Sequence, residues 1–106
     1  MVEQISVFEL KKKLDNKASI TLVDVRQVNE LDICKLPEAK HIPLHILMHR
    51  LDELDRSSEI IMMCHGGGRS QRAAEFLVSQ GFTNVANLVG GIDAWAAQID
   101  SNMARY

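Results

Sequence analysis

Cys64 is followed by His65, three glycines (Gly66, Gly67 and Gly68), Arg69 and Ser70. These residue types in this order suit anion and sulfur chemistry. Cysteine reacts as the thiolate, and a thiolate is stabilised by nearby donors and positive charge. Glycines lack a Cβ and reach positive φ, so successive N–H groups can turn inward and form a nest for an anion. A helix opening near Ser70 would point its free N–H groups at the same spot. A cysteine in such a place ionises with a pKa of roughly 3.5–7.5 instead of about 8.5. Its thiolate attacks sulfane sulfur readily, and the same donors would stabilise an anionic persulfide or a bound oxyanion. A cysteine merely packed beside a tight turn needs neither three glycines nor an Arg-Ser pair.

Such a loop has to be carried by regular elements. Residues 59–64, E-I-I-M-M-C, form an apolar run that predicts a strand buried on both faces, as at the centre of a parallel sheet. Met62 and Met63 read as core. Ligands of open parallel sheets bind beyond the C-terminal strand ends, where this run places Cys64. Residues 70–80 predict a helix with Ala73, Ala74, Leu77 and Val78 on one face and Gly81 as its C-terminal cap.

Further strands are expected at 2–5, 20–25, 39–43 and 85–89. Pro43 keeps Ile42 extended. Ser6 and Glu9 form a capping box ahead of a helix bearing Val7, Leu10 and Leu14. Residues 26–32 read as a short polar helix or turn. Leu44, Leu47, Leu51 and Leu54 predict one amphipathic helix over 44–54. Gly90 and Gly91 lead into a last helix with Ile92, Trp95, Ala96 and Ile99 buried. The reading is one α/β domain over residues 1–106, with a central parallel sheet of about five strands and helices on both faces.

Other anion loops fail on spacing. No lysine follows the glycines as a Walker A loop requires, and Gln71 stands where a dinucleotide loop needs glycine. A cysteine phosphatase loop separates Cys and Arg by five residues, whereas Cys64 and Arg69 are separated by four. The smaller ring suits a single sulfur atom better than a phosphate. A phosphatase or arsenate-reductase-like enzyme stays as an alternative, as does a non-catalytic binding or redox-sensing module.

The chain has 106 residues, 12 basic and 14 acidic side chains, and two cysteines. One domain fits that length. No basic run and few aromatics argue against nucleic acid, and no apolar run approaches membrane-spanning length. The first residues lack a signal-peptide pattern, so the cytoplasm is the expected compartment. No cofactor is expected, and a monomer is. His45 and His49, four apart, raise zinc binding, but no third ligand is suitably spaced. Cys34 reads as a half-buried structural cysteine, with a resolving thiol as the sharper possibility. His65 either tunes Cys64 or touches substrate, or is an exposed loop residue. Asp24 and Arg26 end a strand on the active edge and are either loop supports, the favoured reading, or substrate contacts.

The 64–70 stretch resembles the C-x-x-G-x-R-S active-site loop of the rhodanese family. L-V-D-V-R at 22–26 with Glu30, L-P-E-A-K-H-I-P-L at 36–44, and F-T-N-V-A-N-L-V-G-G-I-D-A-W at 82–95 are similar to its other motifs. Glu38 departs from the usual glycine. The resemblance implies a rhodanese-like fold and a sulfurtransferase. Cys64 would take sulfane sulfur from thiosulfate or a persulfide, including a protein persulfide donor, and pass it to a thiophilic acceptor. Backbone N–H groups of residues 65–70 would cradle that sulfur. Arg69 would close the loop by pairing with Glu30 or Asp24.

Overall fold

The computed structural model describes all 106 residues. The strands are β1 (Glu3–Ile5), β2 (Ile20–Asp24), β3 (Lys40–His41), β4 (Glu59–Met63) and β5 (Val85–Leu88). The α-helices are α1 (Val7–Asp15), α2 (Val28–Leu31), α3 (Gly68–Ser79) and α4 (Gly91–Gln98). All strands are parallel, in the order β1-β5-β4-β2-β3. The apolar run of β4 therefore occupies the centre, with both faces covered.

Alternation along β4 divides the core. Ile60, Met62 and Cys64 face a cluster with Ala73, Ala74 and Leu77 of α3, together with Leu47, Leu54 and Phe82. Ile61 and Met63 face the opposite cluster, with Val7 and Leu10 of α1 and Ile92 and Trp95 of α4. Helices thus cover both faces of a five-stranded sheet, as the alternating pattern implied. Burying each large aliphatic side chain contributes about 1.5–3 kcal/mol, so β4 is firmly anchored up to its last residue.

The chain steps from β2 to β3 on one side of the sheet and from β4 to β5 on the other. Strand order reverses between β2 and β4, which opens a crevice at their C-terminal ends. Asp24 of β2 lies in register with Met63 of β4 at that edge.

Residues 44–54 do not form one α-helix. Two 3-10 segments, Leu44–His49 and Leu51–Glu53, flank Arg50, whose φ is −129°. The leucine spacing accommodates this as readily as one α-helix. Leu44 to Leu47 and Leu51 to Leu54 are three-residue intervals, which fit a 3-10 turn, and the longer interval bridges the break. Positions four apart in a 3-10 helix lie on different faces, so His45 and His49 lose the zinc-like geometry that an α-helix would provide.

The capping box is present, with the Glu9 N–H donating to Ser6 Oγ at 3.1 Å and the Ser6 N–H to Glu9 Oε1 at 3.0 Å. Glu38 lies in a turn closed by the Ala39 N–H on the Leu36 carbonyl at 3.1 Å. That turn uses no positive φ, so glycine is not required there.

Candidate active site

β4 delivers Cys64 to the edge of the sheet, and the next three residues turn the chain into α3. That helix begins at Gly68, two residues before the expected start, so Arg69 and Ser70 belong to its first turn. Gly67 is the N-cap, with φ of 109°. Its N–H donates to Cys64 Sγ at 3.1 Å. Of the three glycines only Gly67 has positive φ. A Cβ on Gly66 or Gly68 would meet nothing within 4 Å, so these two leave the loop rim bare instead of supplying unusual backbone angles.

Cys64 is 1% exposed. Burial by itself pushes its thiol up. Hydrogen bonds from the Ser70 hydroxyl and from the N–H groups of Ser70, Gly67 and Gly66 outweigh burial, so Cys64 ionises below the ordinary thiol value. The N-terminal dipole of α3 acts in the same direction.

The back of the loop is held by a second helix start. The Ile92 and Asp93 N–H groups of α4 donate to the Cys64 and His65 carbonyls at 2.9 and 3.0 Å. Two helix N-termini therefore converge on one turn of chain, one on the sulfur and one on the backbone behind it.

Arg69 and Glu30 form a bidentate pair, with Nη1–Oε1 at 2.6 Å and Nη2–Oε2 at 2.8 Å. Of the two expected carboxylates, Glu30 is the partner because Asp24 is already engaged. Asp24 Oδ2 takes Arg26 Nη2 at 2.8 Å, and Oδ1 takes both the Arg26 N–H and Nε at 3.0 Å. Arg26 is wholly buried and also donates to the carbonyls of Cys34 and Glu30. Asp24 and Arg26 are thus paired with each other and buried beneath the loop.

Sequence reasoning missed two residues. Tyr106 stacks on His65 with ring centroids 4.1 Å apart, accepts from Arg26 Nη1 at 3.0 Å and donates to Glu30 Oε2 at 2.7 Å. No local pattern in the sequence pointed to it. Asn87 accepts the Ser70 hydroxyl at 2.6 Å. Its signal was available, as a lone amide in the otherwise apolar stretch V-A-N-L-V that would need a buried partner.

His65 sits at the rim beneath the Tyr106 ring, and its Nε2 has no hydrogen-bond partner. Asp93 Oδ1 is 3.9 Å away, beyond hydrogen-bonding range. Cys34 packs against the cluster on the sheet face opposite Cys64, and the two thiols are not bonded.

The Glu30–Arg69 pair has a pH signature. The Arg69 guanidinium, against the effect of burial and with help from Tyr106 and the Gln27 N–H, lowers the Glu30 carboxyl from 4.5 to about 2. A carboxylate with a depressed folded-state pKa stabilises the fold above its unfolded value and loses that contribution as pH falls through the folded one. Wild-type stability to urea should therefore fall between about pH 4.5 and about pH 2 more steeply than that of Glu30→Gln. Identical slopes for the two proteins would show that the pair contributes nothing.

The Rhodanese-like domain family matches residues 6–98 of this chain. A sulfurtransferase from Allochromatium vinosum is 34% identical over 91% of this chain and 90% of its own length. The adenylyltransferase and sulfurtransferase MOCS3 of Bos taurus is 36% identical over 98% of this chain, which spans only 27% of that protein. A rhodanese-like domain protein from Staphylococcus aureus is 30% identical in sequence, covers 99% of both chains and superposes with a TM-score of 0.85.

Proposed function

The chain belongs to the rhodanese-like domain family, and from that membership we propose that it is a sulfurtransferase working through a persulfide on Cys64. The observation that carries this reading is the convergence of the Gly67 N–H and the Ser70 hydroxyl on Cys64 Sγ at 3.1 and 3.3 Å.

In the first half-reaction the Cys64 thiolate attacks the outer sulfur of a donor such as thiosulfate. A bond forms from Sγ to that sulfur, the donor S–S bond breaks, and sulfite leaves with the electron pair. The Cys64 persulfide carries its charge on the outer sulfur, within the N–H groups of residues 65–70. In the second half-reaction a thiophilic acceptor, a thiolate or cyanide, attacks that outer sulfur and Cys64 departs as thiolate. In each step the attacking nucleophile supplies the electron pair of the new bond and the leaving group takes that of the broken one, so neither step calls for a cofactor. Arg69, fixed by Glu30, holds the first turn of α3 in place and adds positive charge for an anionic donor. A protein persulfide serves as donor by the same chemistry. Two unpaired cysteines suit a reducing compartment such as the cytoplasm, and the domain is proposed to act there as a monomer.

Intact-mass measurement after incubation with thiosulfate or a persulfide donor tests the reading. Wild type should gain the mass of one sulfur atom, and Cys64→Ala should gain none. No adduct on wild type across several donors would overturn it. Turnover of an aryl phosphate, lost in Cys64→Ser, would instead favour the phosphatase alternative.

A further inference from the structure

The Ser70 hydroxyl has one proton and two acceptors within reach. Cys64 Sγ lies at 3.3 Å and Asn87 Oδ1 at 2.6 Å, and the hydroxyl cannot serve both fully at once. Asn87 is 5% exposed, on β5 beside the active strand. Its amide is oriented from outside. Asn87 Nδ2 donates to Gln4 Oε1 at 3.1 Å, Gln4 Nε2 to Gln71 Oε1 at 2.7 Å, and Gln71 Nε2 to Glu75 Oε2 at 3.1 Å. The chain ends on a carboxylate, which only accepts. Each amide turns its NH2 outward and its oxygen inward along this chain, so Asn87 presents Ser70 with an acceptor and not a donor.

We propose that Asn87 is a positioning residue that makes the Ser70 hydroxyl a two-position donor, given to Cys64 Sγ while that sulfur is anionic and withdrawn to Asn87 when it is not. The persulfide half of this inference rests on the sulfur-transfer reading; the ionisation half does not. With Cys64 as thiol, the S–H can donate to Ser70 Oγ while the hydroxyl donates to Asn87. On ionisation the hydroxyl turns to Sγ. In the persulfide the charge moves to the outer sulfur, Sγ becomes a poor acceptor, and the hydroxyl returns to Asn87. When an acceptor takes the outer sulfur, the electron pair of the broken S–S bond returns to Sγ and the hydroxyl follows it. Ser70 keeps its proton throughout; only the direction changes.

A sign test separates this from a merely structural role. Asn87 competes with the thiolate for the hydroxyl, so removing it should favour the thiolate. General loosening of the loop would withdraw N–H donors from Sγ and disfavour it. The experiment is the pH dependence of Cys64 alkylation by iodoacetamide, with Cys34 distinguished by peptide mass. The proteins are wild type, Asn87→Leu, Asn87→Ala, Ser70→Ala and the double variant Ser70→Ala/Asn87→Leu. Below the midpoint, Asn87→Leu and Asn87→Ala should react about fivefold faster than wild type, the effect of one redirected hydrogen bond. In the Ser70→Ala background, Asn87→Leu should change nothing. An unchanged or slower rate in a folded Asn87 variant, or an equal gain without Ser70, overturns the proposal.

NMR of the Asn87 side-chain amide needs no Asn87 variant and covers the case in which neither folds. Its resonances should follow Cys64 ionisation in wild type and not in Ser70→Ala, and should return toward their thiol position when wild type is loaded with sulfur from thiosulfate. Resonances indifferent to ionisation overturn the inference, and resonances left at their thiolate position by loading overturn its persulfide half. Alkylation uses no sulfur donor, so failure of sulfur transfer and failure of the two-position hydroxyl are read separately.

Discussion

Gly91→Ala is expected to displace the active-site loop and remove most of the reactivity of Cys64. Gly91 has φ of +60°, and a Cβ there would lie 2.4 Å from the His65 carbonyl oxygen, 2.5 Å from that of Cys64 and 2.6 Å from the His65 carbonyl carbon. All three atoms are backbone, so no side-chain rotation relieves the contact. Either the start of α4 retreats and breaks the Ile92 and Asp93 hydrogen bonds to the loop, or the loop shifts and carries Sγ away from the Gly67 N–H. The left-handed backbone adds about 1 kcal/mol or more for any residue with a Cβ. The combined loss of stability should be roughly 2–4 kcal/mol. Cys64 alkylation should slow at least about tenfold, the cost of one to two lost charge-assisted hydrogen bonds to the thiolate. Gly66→Ala and Gly68→Ala, with open space around each, should melt close to wild type. A Gly91→Ala protein with wild-type melting and alkylation would sink the account of how α4 braces the loop.

Asp24→Ala should be the most destabilising single change beneath the site. Arg26 is wholly buried, and Asp24 accepts from its Nε, its Nη2 and its backbone N–H. Without Asp24 the guanidinium keeps only the Cys34 and Glu30 carbonyls and the Tyr106 hydroxyl, and its charge has no buried counterpart. Breaking a buried pair from one side costs about 3–5 kcal/mol. Total stability for a domain of this kind is about 5–15 kcal/mol, so a large share is lost. Replacing both partners with apolar residues, as in Asp24→Leu with Arg26→Met, should recover most of it, because no unpaired charge remains. Urea denaturation of the three proteins measures both effects. An Asp24→Ala loss below about 1 kcal/mol would mean that Arg26 finds water or another anion. The loss also reaches the site, since Arg26 helps hold Tyr106 and the α2 backbone, and these position Glu30 against Arg69.

Much of the site was legible along the chain. The apolar run of β4 placed Cys64 at a strand end, and the glycines with the Ala and Leu periodicity of α3 placed a helix N-terminus directly after it. The four residues between Cys64 and Arg69 set the ring size. These are local properties of backbone preference and side-chain period, which a sequence displays directly. One local reading failed. The leucines of residues 44–54 carry both three- and four-residue spacings, which one α-helix and two 3-10 turns satisfy about equally, and packing of Leu47 and Leu54 into the core decided between them.

Tertiary structure decided the rest of what surrounds Cys64. Arg69 pairs with Glu30 because burial commits Asp24 to Arg26. Ser70 meets Asn87, Gly91 presses on the Cys64 and His65 backbone, and Tyr106 reaches Glu30 across the domain. These contacts join elements remote in sequence, brought together only when the parallel strands assemble side by side. The loop of residues 64–70 thus carries its chemistry in its own residue types, whereas the direction of each donor around its sulfur is a property of the assembled sheet.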